Sequence, residues 1–230
     1  MVRTESDGQN VTSESFGAFT EVLNHRMGNL LTGIGGYTDL LMPGLLSAED
    51  RETALRIHES VSRMSGMLKD LEHYRDTMAP KMRTMLATNL IRSLYVLLPD
   101  AEAEGLQVEI TLQTDILLHA DERLLLQALT AVLRNAFEAS PPEPGSVSLK
   151  VTQTIDGSRL CFSVHSASFV EDSETRRRLF QPFFTTKTAN LGLGLTMARR
   201  IFRTHGGDIV LSLSDKELGT VFSCNLPVQD

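Results

Sequence analysis

The chain has 230 residues, 41% of them hydrophobic and 22% charged, the balance of a folded globular protein with room for one large domain or two small ones. Its net charge of −7 argues against a nucleic-acid binder, which needs a basic face, and Cys161 and Cys224 stand singly, as reduced thiols do, with no metal-type spacing. No run approaches the roughly 18 apolar residues of a membrane span and the N-terminus has no apolar signal core, so the expectation is a cytoplasmic protein without membrane or nucleic-acid partners.

Residues 1–12 read as a disordered leader. Ser13 or Ser15 then caps a helix that runs to Met42, where Pro43-Gly44 breaks it. Phe16, Phe19, Leu23, Met27, Leu30, Ile34, Tyr37 and Leu41 recur in steps of three and four and form one apolar stripe. A second helix begins near Ser47, with acidic residues in its first turn, and repeats Ala54, Ile57, Val61, Met64, Leu68 and Leu71 before Ala79-Pro80. One such hairpin cannot cover its own stripes. Residues 13–80 are therefore expected to be an all-α hairpin that forms a four-helix bundle with a second copy, a homodimer. His25 lies off the first stripe, with Glu21 one turn before it and Asn29 one turn after it. An imidazole on such a polar face can take and give a group.

From residue 81 the pattern changes to an α+β sandwich domain, with helices on one face of a mixed sheet. The segment MRTML is a short strand, Ala87–Gly105 a helix, and Leu106–Leu112 and Ile116–Ala120 are strands. Asp121 caps a strongly apolar helix closed by Pro141-Pro142. Val147–Thr154 and Arg159–Val164 form a hairpin, 166–194 is irregular, Leu195–Thr204 is helical, and two strands flank Lys216–Gly219.

Three stretches here point to a nucleotide. Asn135, on the polar flank of the apolar helix, can offer a neutral oxygen to Mg²⁺. The run NLGLGL leads straight into a helix, where glycines let backbone N–H groups approach phosphate. LFQPFFTTK combines three phenylalanines, Thr185, Thr186 and Lys187 in a loop that reads as a hinged lid, with Lys187 reaching for phosphate.

Together these residues resemble the transmitter of a two-component sensor histidine kinase, whose nucleotide domain is of the GHKL type shared with certain gyrase, chaperone and mismatch-repair ATPases. NHRMGNLLTGIGGYTDLL resembles the H box, which makes His25 the phosphoryl acceptor. HADERLLLQALTAVLRNAFEA resembles the N box, with Asn135 at the magnesium position. LFQPFFTTK resembles the F box of the ATP lid, and LGLGLTMARRIFRTHGGDI the G2 box, with Gly192 and Gly194 in place. The resemblance implies ATP and Mg²⁺ as ligands, with Thr186, Lys187, Gly192 and Gly194 towards the phosphates. It implies a response-regulator receiver as partner, and a sensory input from another protein or region.

Two departures matter. Arg26 stands where the family carries an acid after its histidine, and a guanidinium cannot take a proton, which leaves Glu21 as the nearby substitute. Counting back from Phe180, Ser166 occupies the place of the G1-box aspartate under adenine, and the glycines after it are Ser168 and Val170. A serine loses the charge that strengthens such a bond. By contrast, Asn29 matches the position that orients water during dephosphorylation of the partner. Two functions remain open. One is an ATP-dependent histidine kinase. The other is a histidine phosphotransferase or pseudokinase that exchanges phosphate with receiver aspartates through His25 without ATP.

Overall fold

The computed structural model describes residues 6–44, 47–75, 79–99, 105–112, 116–141, 143–187 and 190–229, with backbone alone for 6–23, 73 and 75. The chain divides into two compact units, Met1–Thr77 with Lys187–Leu191, and Met78–Thr186 with Gly192–Asp230.

In the first unit, α1 spans Ser6–Leu41, a short 3-10 turn follows at Met42–Gly44, and α2 spans Ala48–Arg75. Helix α1 starts ahead of the expected Ser13 or Ser15 cap, so residues 6–12 are helical, while residues 1–5 of the expected leader lie outside the described residues. Polar composition does not stop a nucleated helix, because each added residue adds a hydrogen bond. Ser47 caps α2: its Oγ accepts from the Asp50 N–H at 2.9 Å and donates to Asp50 Oδ2 at 2.6 Å.

The line of α1 that closes on α2 is not the large apolar stripe. It runs through Asn24, Leu31 and Thr38, all buried, and Gly35, which lies against Val61. Asn24 Nδ2 donates to the Leu68 carbonyl at 3.3 Å. The neighbouring stripe stays open, with Leu30, Ile34, Tyr37 and Leu41 exposed at 68, 47, 72 and 63%. Small and polar residues on either side of Leu31 let the two helices approach, and Leu30, Ile34, Tyr37 and Leu41 are left outside the hairpin.

The second unit contains β1 (Arg83–Leu86), α3 (Ala87–Leu97), β2 (Leu106–Thr111), β3 (Leu117–Ala120), α4 (Glu122–Ala139), β4 (Val147–Gln153) and β5 (Arg159–Ser166). It continues with α5 (Ser173–Arg178), α6 (Gly194–Thr204), β6 (Asp208–Asp215) and β7 (Gly219–Pro227). Five strands form one mixed sheet in the order β2-β4-β5-β7-β6, parallel between β2 and β4 and antiparallel elsewhere. Strands β1 and β3 pair separately. The inward register of β4, β5 and β7 carries Val147, Leu149 and Val151, then Leu160, Phe162 and Val164, then Phe222, Cys224 and Leu226, all buried. Against them lie the buried ridges of α3, α4 and α6, among them Leu94, Leu129, Leu133, Ile201 and Phe202.

Helix α3 is shorter than the expected Ala87–Gly105. It ends at Leu97, and Leu98 is extended at φ −74, ψ 139, as the residue before Pro99 must be. Residues 100–104 lie outside the described residues. The stretch 166–194, expected to be irregular, contains α5, whose start is capped by Asp172 through the Thr175 N–H and hydroxyl.

Asp121 joins three elements. Its Oδ1 accepts from the Leu124 N–H and its Oδ2 from the Lys81 N–H, while its own N–H donates to His205 Nε2 at 3.0 Å. Buried His205 in turn donates from Nδ1 to the Ile201 carbonyl. Burial alone would raise the Asp121 carboxyl, but the two backbone donors outweigh it and hold it below the usual carboxylate range. Replacing Asp121 with Ala is expected to lower stability by about 1–2 kcal/mol near neutral pH. Because the native pKa lies below the unfolded one, that difference is full above about pH 4 and fades as the pH falls through the native value. Urea unfolding of both proteins at pH 7 and pH 3 measures it, and an equal difference at both pH values would contradict the role of the charge.

Candidate functional site

His25 and Asn29 are both exposed on α1. Side chains on a helix lean towards its N-terminus, so Asn29 leans back over His25, and its Nδ2 lies 3.1 Å from the ring Nδ1. Arg26 is exposed beside them. The Glu21 side chain lies outside the described residues.

In the second unit, α4 packs on β4, β5, α3 and α6. Its buried ridge includes Leu129, Val132, Leu133 and Ala136, and this leaves Asn135 half-buried at the flank. One amide oxygen is a fitting donor for a Mg²⁺ that takes its other ligands from phosphate and water. Among the described residues, no group of three or more His, Cys, Asp or Glu could cage a metal by itself.

Ser166 closes β5 in the inward register, buried, with Val147 opposite on β4 and Thr220 opposite on β7. Thr220 is buried too, and its hydroxyl lies 3.3 Å from Ser214 Oγ on β6. Ser214 also accepts the Val170 N–H at 2.8 Å, which fastens the loop after β5 to the sheet. This end of the sheet thus carries three hydroxyls, those of Ser166, Thr220 and Ser214. The sequence singles out Ser166 but not Thr220 or Ser214, which the strand register brings beside it. The available signal for Thr220 was its register: it is the polar member of the inward series Thr220, Phe222, Cys224, Leu226.

The F-box segment is anchored at one end. Phe180 packs edge-on against Phe222 with centroids 6.1 Å apart, Arg199 lies 4.6 Å above its ring, and Thr196 Oγ1 donates to its carbonyl. Arg199 is held by a bidentate pair with Asp208, and Arg203 joins the same carboxylate. These bonds, Arg199 first, hold the Asp208 carboxyl far below the usual range despite partial burial. Further along, Phe183 is exposed and adopts φ 62, a conformation that side chains rarely take, so the turn is held under strain. Thr186 is exposed and Lys187 half-buried; Lys187 groups with the first unit, whereas Thr186, Gly192 and Gly194 belong to the second.

The two glycines of the loop have different physical roles. Gly192 has φ 70, and a Cβ there would collide with the Phe184 backbone. At Gly194, the first residue of α6, an added Cβ would meet open space. The residue before it, Leu193, makes no side-chain cap to the first turn of α6. An uncapped helix start behind a glycine turn is suited to an anion.

Two family profiles match the chain. The profile for the His Kinase A (phospho-acceptor) domain matches residues 17–76, and that for the histidine kinase-, DNA gyrase B- and HSP90-like ATPase matches residues 120–230. The chain belongs to the sensor histidine kinase family. It is 27% identical over 210 residues to the signal transduction histidine-protein kinase AtoS of Escherichia coli K12, covering 89% of this chain and 33% of that protein. It is 25% identical over 207 residues to sporulation kinase E of Bacillus subtilis 168, covering 89% and 28%. Among solved structures, full-length ShkA in complex with AMPPNP gives a TM-score of 0.71 at 26% identity, covering 92% of this chain and 46% of that one. The histidine kinase ThkA in complex with the response regulator TrrA gives 0.66 at 25% identity, covering 93% and 62%. The chain thus spans about a third of the length of these curated relatives. Among the described residues, no helix is long and apolar enough to cross a membrane.

Proposed function

We propose that this member of the family autophosphorylates His25 from ATP and passes the phosphoryl group to an aspartate on a response-regulator receiver. Residues 13–80 form the phosphotransfer hairpin and residues 81–230 the nucleotide domain. What supports this most is the uncapped start of α6 behind Gly192, in a unit that also carries the buried Ser166–Thr220 end of the sheet. In this reading adenine would lie towards Ser166 and the phosphates towards Gly192, Gly194 and Thr186. Asn135 would hold a Mg²⁺, which would neutralise phosphate charge.

A ring nitrogen of His25 attacks the γ-phosphorus, the bond from phosphorus to the bridging oxygen breaks, and ADP leaves with the electron pair. The N–P bond then exchanges for an O–P bond on the receiver carboxylate, which returns the imidazole. Glu21 is the proposed proton acceptor in place of the family acid. Asn29 also sits where water is oriented for the reverse, phosphatase reaction. The input comes from a sensory region or protein beyond these residues, and the site of action is the cytoplasm.

A second reading is favoured by Ser166 itself. With a neutral hydroxyl in the adenine position and Arg26 beside the histidine, the chain would serve as a phosphotransferase that receives phosphate only from receiver aspartates. The two readings share His25 and differ in the donor.

Three outcomes are expected. The exposed stripe Leu30, Ile34, Tyr37 and Leu41 is covered by a second copy, so sedimentation at tens of micromolar gives about twice the 25.4 kDa of one chain, and a monomer there contradicts the bundle. Replacing Ser166 with Asp tightens ATP binding by about 1–3 kcal/mol, because a charged acceptor replaces a neutral one. Unchanged affinity would show that the serine is not what limits it. Incubation with γ-labelled ATP gives an acid-labile label that is absent from His25→Gln. Label only from a phosphorylated receiver selects the phosphotransferase, and label that survives His25→Gln removes both readings.

A further inference from the structure

The His25–Asn29 contact acquires a chemical consequence from what stands next to it. A neutral imidazole has one N–H and one lone pair, and only the nitrogen with the lone pair can attack phosphorus. The distal Nε2 is the less crowded of the two. Nε2 is free to attack only when the proton sits on Nδ1, and a proton there is stabilised by an acceptor beside Nδ1. The residue after His25 is Arg26, which accepts nothing. Among the described residues, the side chain within hydrogen-bonding distance of the ring is that of Asn29, 3.1 Å from Nδ1.

An amide presents two opposite faces. With Nδ2 forward, as in the structure, Asn29 donates to the Nδ1 lone pair and leaves the proton on Nε2. Turned by half a rotation about its last side-chain bond, it offers Oδ1 instead. It then accepts Nδ1–H and frees Nε2. Both side chains are exposed, so nothing in the hairpin core resists that turn.

We propose that Asn29 sets the tautomer of His25: its amide holds the ring in an unreactive Nε2–H form at rest and in an Nδ1–H form with a nucleophilic Nε2 when reversed. This makes Asn29 a positioning residue for phosphorylation. The proposal rests on His25 as phosphoryl acceptor, but the tautomer is measurable without any phosphate. Asn29 acts through a turn of its amide rather than through a permanent charge.

Asn29→Asp replaces the two-faced amide by a group that only accepts. Asn29→Ala removes the partner altogether. Both changes lie on the exposed face of α1, and circular dichroism with sedimentation checks that the full chain keeps its helices and assembly. Ring-¹⁵N histidine NMR at pH about 9, where an imidazole is neutral, reads the tautomer of His25 directly. Labelling by phosphoramidate, which needs no nucleotide pocket, reads nucleophilicity: Nε2 forms the bond to phosphorus, the P–N bond breaks, and ammonia departs with a proton from solvent.

Wild type is expected in the Nε2–H form. Asn29→Asp is expected to move the ring to Nδ1–H and to speed labelling at Nε2 about tenfold, while Asn29→Ala shows neither change. Equal tautomers in Asn29→Asp and Asn29→Ala overturn the proposal, and so does a shifted tautomer with an unchanged labelling rate. A shifted tautomer with no label on His25 in any variant leaves the tautomer assignment standing and removes the acceptor reading instead.

Discussion

The packing of α4 against the inward face of the five-stranded sheet is the constraint on which the nucleotide domain depends. Leu125, Ala128, Leu129, Val132, Leu133 and Ala136 bury one side of that helix, which fixes its rotation. Once the rotation is fixed, Asn135 can only lie at the flank. The same contact closes the core beneath β5, whose last inward residue is Ser166. Asp121 and His205 lock the start of α4 to the end of α6, so the glycine turn at the other end of α6 is held by the same framework. A polar site is thus positioned by apolar packing.

The hairpin obeys the opposite logic. Its internal contact uses Asn24, Leu31, Gly35 and Thr38, and Leu30, Ile34, Tyr37 and Leu41 remain outside. Burying such a stripe stabilises by about 25 cal/mol for each Å² removed from water, a driving force that a second copy can use. His25 stands off that stripe, so dimer formation and an accessible imidazole are compatible on one helix. Asn29 belongs to the same polar face, one turn away.

Much of this was legible in the residues because the strongest signals are local or periodic. The strand and helix order, the Asp121 cap and the Pro43-Gly44 break follow from alternation and turn chemistry. Helix α5 was not legible, since six residues are too few to show a period. The end of α3 was misplaced because the restriction imposed by Pro99 was outweighed by the helix-forming residues after it. The large stripe of α1 was visible, but not that the hairpin would close on the neighbouring line, because small residues carry little periodic signal. Ser166 could be located by counting from Phe180. Its hydroxyl neighbours Thr220 and Ser214 come from strands more than 40 residues away, and only the β5–β7–β6 register joins them.

The central question is whether a domain whose sheet ends in the Ser166 and Thr220 hydroxyls holds a nucleotide. Calorimetric titration of the folded, full chain with ATP and Mg²⁺ addresses it without reference to any partner. Saturable heat with one nucleotide per chain is the predicted result. The absence of binding at millimolar nucleotide, in a sample shown to be folded, would contradict it.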